Sequence, residues 1–226
     1  MEAKARNSPG LAEKHALVGP PLGLPDLYDT RGTGIWEDGI GTGHWCLMGG
    51  GHHRGLSKHG DSPTHMCAWS KLALGWLRPV TVTQNTRNVT ILPHGSGNFA
   101  LKLQPPGMPA SEYFLVENRQ KGLNYDRVLP DSGLLIWHID ESVANTWGNS
   151  RQWSPPMNPA LGHYQVALEQ ADGKYELDRA NTKTIGDGIL DAADMYRPGS
   201  TFSDVTNPNS NAYSCIRKNF ILIRIY

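Results

Sequence analysis

The sequence predicts an α+β fold in which β-strands dominate, and three observations lead to this prediction. The 226 residues include 25 Gly and 16 Pro, a composition that favours turns and leaves little room for long helices. One segment has the apolar period of a helix. The segments that follow it are short and rich in β-branched and aromatic residues. We therefore expect an irregular first part, one clear helix, and an antiparallel β-sheet or sandwich behind it.

The helix is expected between Pro63 and about Leu74. Ser62 is a suitable N-cap, Pro63 fits the first helical position, and Gly75 is a natural terminator. Its apolar face consists of Met66, Trp69, Leu72 and Ala73.

Seven short segments after the helix have the character of strands. They are bounded by Gly, Pro or Asp, and some alternate apolar and polar positions, as half-buried antiparallel strands do. Residues 134–139 are apolar on both faces apart from His138, so this strand is expected inside the sheet, with His138 hydrogen-bonded there. The seven segments are residues 79–84, 86–93, 98–104, 112–120, 132–140, 163–170 and 219–226.

Several sequence blocks, in order, carry a family resemblance. Leu22 to Asp29 reads LGLPDLYD, and Trp45 to Gly49 reads WCLMG. With the helix block at 62–76, the strands at 112–120 and 132–140, and the segment 171–210, they resemble the immune inhibitor A family of secreted zinc metallopeptidases. The resemblance implies that residues 22–80 are the C-terminal part of a metzincin-like catalytic domain and residues 81–226 a β-rich body. Residues 1–21 are irregular or lie outside the family pattern.

The resemblance also implies a zinc site and a reaction. The family pattern is H-E-x-x-H-x-x-G-x-x-D, in which two His and the Asp bind zinc and the Glu activates the zinc-bound water. Gly23 matches the motif glycine, Asp26 the third zinc ligand, and Met48 the Met-turn that forms the floor of the site. The implied activity is hydrolysis of peptide bonds in extracellular proteins.

The chain departs from this pattern where the zinc would bind. The two His positions are occupied by Ala16 and Pro20, and the Glu position by Leu17. None of these side chains can bind zinc or accept a proton, so the chain as written is expected to be an inactive fragment. The portion of the catalytic domain that precedes the zinc helix in the family is also missing.

Two explanations of the lost motif stay open: a wrong reading frame or start before Leu22, or true decay of the zinc site. The alternative function is a non-catalytic β-rich structural or binding module, for which calcium is a candidate stabilising ion. Secretion is implied by the resemblance alone, because the first fifteen residues contain no apolar stretch of the signal-peptide kind.

A calcium site is a second metal hypothesis. Asp187, Asp191 and Asp194 match three oxygen-ligand positions of an EF-hand-type loop with Gly188 as its turn glycine. Two earlier ligand positions do not match, and an acidic turn that caps a short helix is the other interpretation. Four loop histidines, His44, His52, His53 and His59, suggest either a metal cluster or solvent-exposed side chains.

The remaining expectations concern cysteines, tryptophans and partners. Cys46 and Cys67 are the candidate disulfide pair, and the alternative is that both, with Cys215, are buried thiols. Surface that would pack on the missing part of the domain is expected to expose Trp36, Trp45 and Trp69. Lys plus Arg and Asp plus Glu are balanced at 21 each, which gives no reason to expect nucleic acid. No window approaches the ~20 consecutive apolar residues of a membrane span.

Overall fold

A computed structural model gives the arrangement of most of the chain. It describes residues 22–28, 40–84, 89–94, 99–122, 124–143, 163–178, 190–213 and 223–224. In this part the fold is dominated by one five-stranded sheet with few helices, which confirms the β-dominated α+β class. Several residues named by the sequence analysis lie outside the described residues: Ala16, Leu17, Pro20, Trp36, Asp187, Gly188 and Cys215.

The five-stranded sheet has the order β1-β2-β3-β4-β5. Its two long central strands pair antiparallel along their whole length, with Leu115 opposite Trp137. A separate pair, β6 and β7, is also antiparallel. The strands are β1 Val80–Val82, β2 Leu101–Leu103, β3 Glu112–Arg119, β4 Gly133–Asp140, β5 Val166–Leu168, β6 Thr201–Phe202 and β7 Ile223–Arg224.

One strand pair differs from the expected antiparallel arrangement. Strands β1 and β2 are parallel, with Val80 opposite Leu101. The segment expected as a strand at 86–93 forms, in its described part, only an isolated bridge from Pro93 to Asn118 on β3. The described part of that segment adds no strand between β1 and β2. The long connection between these two strands allows β2 to run in the same direction as β1.

Other parts of the chain cover both faces of the sheet. Most side chains of β3 and β4 are therefore buried, whichever face they lie on. On one face Leu115 and Trp137 pack with the helix and the glycine-rich segment. On the other face Phe114 and Ile136 pack against residues from the C-terminal part, including Phe202. The alternation follows from the strand period of two, which sends successive side chains to opposite faces. The expected interior position of 134–139 is confirmed, because β4 pairs with both β3 and β5.

The helix α1, Ala68–Ala73, is shorter at its start than the sequence predicts. Residues 64–67 are extended because their backbone groups bind elsewhere. Thr64 N donates to Gly51 O at 3.1 Å, His65 N to Asp126 Oδ1 at 2.9 Å, and Leu47 N donates to His65 O at 3.1 Å. Ser62 as N-cap was therefore wrong, and Cys67 holds that position without a capping side chain.

The end of α1 confirms the expected terminator. Gly75 has φ of +71°, in the left-handed region that favours glycine. Trp76 N donates to Lys71 O at 2.8 Å and Gly75 N to Leu72 O at 2.9 Å, the two hydrogen bonds of a Schellman motif.

The expectation that Trp45 and Trp69 are exposed was wrong. Their exposed fractions are 0% and 6%, and both lie in the core on the helix-bearing face of the sheet. Each indole N–H has a carboxylate acceptor: Trp45 Nε1 donates to the buried Asp194 Oδ2 at 2.8 Å, and Trp69 Nε1 to Oε1 of the exposed Glu141 at 3.0 Å. Large apolar side chains that are exposed in the described residues include Leu56, Trp76 and Val205.

A buried ion network lies on the same side of the sheet. Arg119 is fully buried and binds both oxygens of Asp126, with Nε donating to Oδ2 at 2.6 Å. Its Nη1 lies 3.3 Å from Glu117 Oε1, which also accepts from Trp137 Nε1 at 2.8 Å. Burial opposes ionisation of both carboxyls, but the guanidinium charge lowers the pKa of Glu117 and Asp126 below their usual range.

Removal of the Arg119 charge is expected to destabilise the fold strongly. Arg119→Met keeps most of the apolar volume but leaves Asp126 and Glu117 without their cation, a loss of about 3–5 kcal/mol of unfolding free energy. Urea unfolding followed by tryptophan fluorescence measures the change. Lys174→Met is the matched control, because Lys174 pairs with Asp172 while 60% exposed, and no measurable change is expected there. Equal effects of the two substitutions would contradict the importance of the buried network.

Candidate functional site

The segment that carries Asp26 lies directly against the turn that carries Met48. Leu27 N donates to Met48 O at 2.8 Å, and Thr42 N donates to Leu27 O at 2.9 Å. Leu27 is fully buried, which anchors the segment, while Asp26 beside it is half-buried. Two blocks separated by about twenty residues of sequence are thus neighbours in space, and the resemblance requires this proximity.

Within the described residues, the side chain of Asp26 accepts a hydrogen bond from the side chain of Tyr28. Tyr28 Oη donates to Asp26 Oδ2 at 2.7 Å. Burial raises the pKa of Tyr28 to about 12, and the hydrogen bond and negative charge of Asp26 add to the effect. Tyr28 therefore stays a neutral donor, and it holds the carboxylate in place at the edge of the turn.

The turn at 45–49 is a tight, glycine-dependent structure. Cys46 O accepts hydrogen bonds from Gly49 N and Gly51 N, both at 3.0 Å. A Cβ on Gly49 would lie 2.4 Å from Thr42 Oγ1, and a Cβ on Gly51 would lie 1.9 Å from Thr64 Oγ1. These positions need glycine because neighbouring chain approaches so closely, which explains the GGG run. Met48 is 3% exposed and packs in the core.

The buried ion network fixes this turn to the sheet. Arg119 Nη1 donates to Trp45 O at 3.0 Å, and the Trp45 indole binds Asp194. His94 Nδ1 lies 3.0 Å from Glu117 Oε2, and Lys71 Nζ lies 2.7 Å from His94 Nδ1. Burial lowers the pKa of Lys71 and His94, although the nearby Glu117 charge opposes the shift. The turn is thereby held from the sheet side.

The two cysteines near the turn are buried free thiols, so the expected Cys46–Cys67 pair is absent and the alternative holds for these two. Cys67 N donates to Cys46 Sγ at 3.3 Å, and Ser70 Oγ lies within 3.7 Å of Cys46 Sγ and 3.4 Å of Cys67 Sγ. Burial would raise the pKa of Cys46, but hydrogen bonds from Cys67, the Met48 backbone and Ser70 lower it to about 7.

The calcium hypothesis can be followed for two of its three residues. Asp191 Oδ1 accepts from Ala193 N at 2.6 Å and from Asp194 N at 3.2 Å, so it caps the 3-10 helix Ala192–Asp194. Asp194 accepts from Trp45, Gln170 and the backbone of Asp191. Helix capping by Asp191 is the role that the alternative interpretation assigned to this turn, and calcium binding stays a prediction.

A different acidic group, missed by the sequence analysis, surrounds Asp194. One oxygen each of Asp172, Glu176 and Asp194 lies within 4.8 Å of the others. Gln170 Nε2 donates to Asp194 Oδ1 at 2.6 Å and to Glu176 Oε2 at 3.2 Å, and Lys174 Nζ lies 2.7 Å from Asp172 Oδ2. The Lys174 ammonium therefore offsets one negative charge of the group, and the neutral Gln170 amide donates to the other two carboxylates. Burial raises the pKa of Asp194 to about 6, against the effect of its hydrogen bonds.

His138 is a hydrogen-bonded sheet residue, as expected. Its Nε2 lies 2.8 Å from Glu112 Oε1 and its Nδ1 lies 2.9 Å from Glu169 Oε1. Burial alone would lower its pKa, but the two carboxylates raise it. The His138 ring stacks on the Tyr213 ring with centroids 3.9 Å apart, and the His163 ring also stacks on Tyr213, with centroids 3.8 Å apart. This cluster holds the C-terminal segment on the sheet.

Comparison with known proteins gives no assignment. No protein-family model, curated protein or solved structure matches the chain. Among the described residues, no helix has both the length and the apolar character needed to cross a bilayer. The resemblance to a peptidase family, the zinc ligand at Asp26 and the Met-turn at Met48 therefore stay predictions.

The stability of this region is expected to depend on pH through His65. Burial lowers the pKa of His65 to about 3, and the charges of His94 and Arg119 add to the shift. An unfolded His has a pKa of about 6.5. Between these values the unfolded chain binds one more proton at this residue, so stability falls as the pH falls. The slope is about 1.4 kcal/mol per pH unit for this group.

Urea unfolding of His65→Gln between about pH 6 and about pH 4 should show a slope smaller by that amount. Asp194→Asn should change the slope in the opposite direction, because its raised pKa makes the folded state bind the extra proton between about 4 and 6. An unchanged slope in His65→Gln would show that His65 titrates alike in both states.

Proposed function

We propose that this chain is the C-terminal part of a zinc metallopeptidase catalytic domain of the immune inhibitor A type. Asp26 occupies the position of the third zinc ligand, and the turn at 45–49 is the Met-turn. One observation carries the proposal: the Leu27 N to Met48 O hydrogen bond of 2.8 Å, which joins the two blocks that such a site needs side by side. The family's substrates would be peptide bonds in extracellular proteins.

The surroundings of Asp26 suit a metal ligand but do not complete a site. The carboxylate is half-buried beside a buried turn, and one of its oxygens accepts from Tyr28. A catalytic zinc ion takes three protein ligands and one water, whose pKa it lowers. The described residues supply one carboxylate at this place, which does not fit a zinc ion alone. No hydrolytic step is therefore assigned to the chain as it stands.

The alternative, a non-catalytic β-rich module, is supported by the covering of both faces of the sheet. The chain's own residues bury Leu115 and Trp137 on one side and Phe114 and Ile136 on the other. Such a module would be independent of zinc, whereas the fragment of a peptidase should regain zinc binding once its missing ligands are supplied.

Restoring the motif tests the proposal. A chain with Ala16→His, Leu17→Glu, Pro20→His and Pro21→Ala should bind one zinc ion in competition with a chelator, because two imidazoles then join Asp26. The substitutions His53→Gln and His59→Gln are included to remove imidazoles of the nearby loop. Metal content after gel filtration is measured by mass spectrometry.

Asp26→Asn in the restored chain should lower zinc affinity by about tenfold or more, since a metal ligand is lost. Asp204→Asn, which changes an exposed carboxylate outside the region, is the matched control. If the restored chain and its Asp26→Asn variant bound zinc with equal affinity, Asp26 would not be a zinc ligand. Circular dichroism of both chains verifies that they fold alike.

A further inference from the structure

The loop after the turn at 45–49 is ordered by its own hydrogen bonds. Gly60 N donates to His53 O at 3.3 Å and Ser62 N donates to Arg54 O at 3.2 Å, so the chain doubles back on itself. At the tip, the Asp61 carboxylate accepts from the backbone N–H groups of residues 56–58 at 2.6, 3.0 and 2.9 Å. The backbone therefore holds His53 and His59 opposite each other.

Three imidazoles meet at the open end of this loop. The ring centroids of His52 and His53 are 3.7 Å apart, and those of His53 and His59 are 4.4 Å apart. His53 and His59 are exposed, and His52 is half-buried. Two ring–ring contacts thus bring three imidazole side chains of one loop side by side, and rotation of the exposed rings is needed to point three nitrogens at one position.

The His52 ring is oriented as in a metal ligand. Its Nδ1 lies 2.7 Å from Gly49 O, and a carbonyl oxygen can only accept, so Nδ1 carries the proton. The lone pair is therefore on Nε2. Histidines that bind metals commonly donate their other N–H to a backbone carbonyl, which fixes both tautomer and orientation. Gly49 belongs to the turn at 45–49, where its own N–H donates to Cys46 O, so the carbonyl that accepts from His52 is held in place.

The fourth imidazole of the loop stays neutral. Burial lowers the pKa of His44 to about 4, and the charges of Arg54, His53, His52 and His59 add to the effect. The His44 ring packs against Gly50, where a Cβ would lie 2.4 Å from its Cδ2. Arg54 and the exposed Lys58 belong to the same loop and repel any cation, so an ion bound here has to be held by coordination to nitrogen rather than by charge.

We propose that His52, His53 and His59 form a surface site for a divalent transition-metal ion of the zinc class. Neutral imidazole nitrogen suits such borderline ions, whereas Mg²⁺ and Ca²⁺ prefer oxygen ligands. Binding requires the exposed His53 and His59 side chains to rotate and give up part of their present contacts, while His52 keeps its hydrogen bond to Gly49. This site uses none of the residues assigned to the Asp26 half-site.

Calorimetric titration of the unaltered chain with Zn²⁺ at neutral pH tests the proposal. We expect one equivalent to bind, and the imidazole ¹⁵N signals of His52, His53 and His59 to shift on binding. The double variant His53→Gln and His59→Gln should lose at least about tenfold in affinity, since even loss of a ligand's hydrogen-bond partner costs about 10–100-fold. Binding should also weaken in mildly acidic buffer, because protons compete for the ligands.

Two controls make the result specific. Lys58→Gln, an exposed change in the same loop, should keep the affinity, and so should Asp204→Asn, an exposed change in another part of the chain. Mg²⁺ at the same concentration should give no heat. Zinc binding of equal strength in the double histidine variant would overturn the proposal, and so would the absence of any heat or imidazole shift in the unaltered chain.

Discussion

The guanidinium of Arg119 joins the five-stranded sheet to the glycine-rich segment without contact with water. From the end of β3 it binds both oxygens of Asp126, one oxygen of Glu117, and the carbonyl of Trp45. A buried charge of this kind tolerates little displacement, because each lost partner leaves an ionised group in an apolar surrounding. The position of the turn at 45–49 relative to the sheet therefore follows from this one side chain and its partners.

The chemistry at the surface depends on that constraint. With the turn fixed, Met48 offers its carbonyl to Leu27, and Asp26 is thereby held at the edge of the turn. On the other side Gly49 offers its carbonyl to His52. The glycines of the GGG run make this possible, because at Gly49 and Gly51 a side chain would collide with Thr42 and Thr64. One rigid turn thus positions a carboxylate on one side and an imidazole on the other.

Local sequence signals predicted part of this structure. Alternating apolar and polar residues indicated β3, the run that is apolar on both faces indicated β4, and the glycine at position 75 marked the end of α1. The start of α1 could not be predicted, because Thr64 and His65 give their backbone groups to distant partners that sequence does not reveal. The parallel pairing of β1 and β2 has the same cause, since it depends on where the intervening segment lies.

The buried ion pairs could not be predicted from the sequence for a related reason. Glu117 and Arg119 occur in a strand whose polar positions suggested solvent, and Asp126 follows it in a loop. Only the fold shows that they pair. The tryptophan expectation failed because Trp45 and Trp69 find carboxylate acceptors, Asp194 and Glu141, from remote parts of the chain. For the candidate site, the sequence named Asp26 and Met48, and the fold adds the hydrogen bond that joins their segments, the role of Arg119 and the adjacent loop histidines.

The central claim, that Asp26 beside the Met48 turn is half of a zinc site whose histidines and glutamate are lost to a wrong reading frame before Leu22, has a direct test in the encoding DNA. The DNA upstream of the Leu22 codon is resequenced and translated in all three frames. We expect codons for H-E-x-x-H in another frame, placed in register with Gly23 and Asp26. The absence of such codons from every frame, with one unbroken frame through Ala16 and Pro20, would contradict the claim.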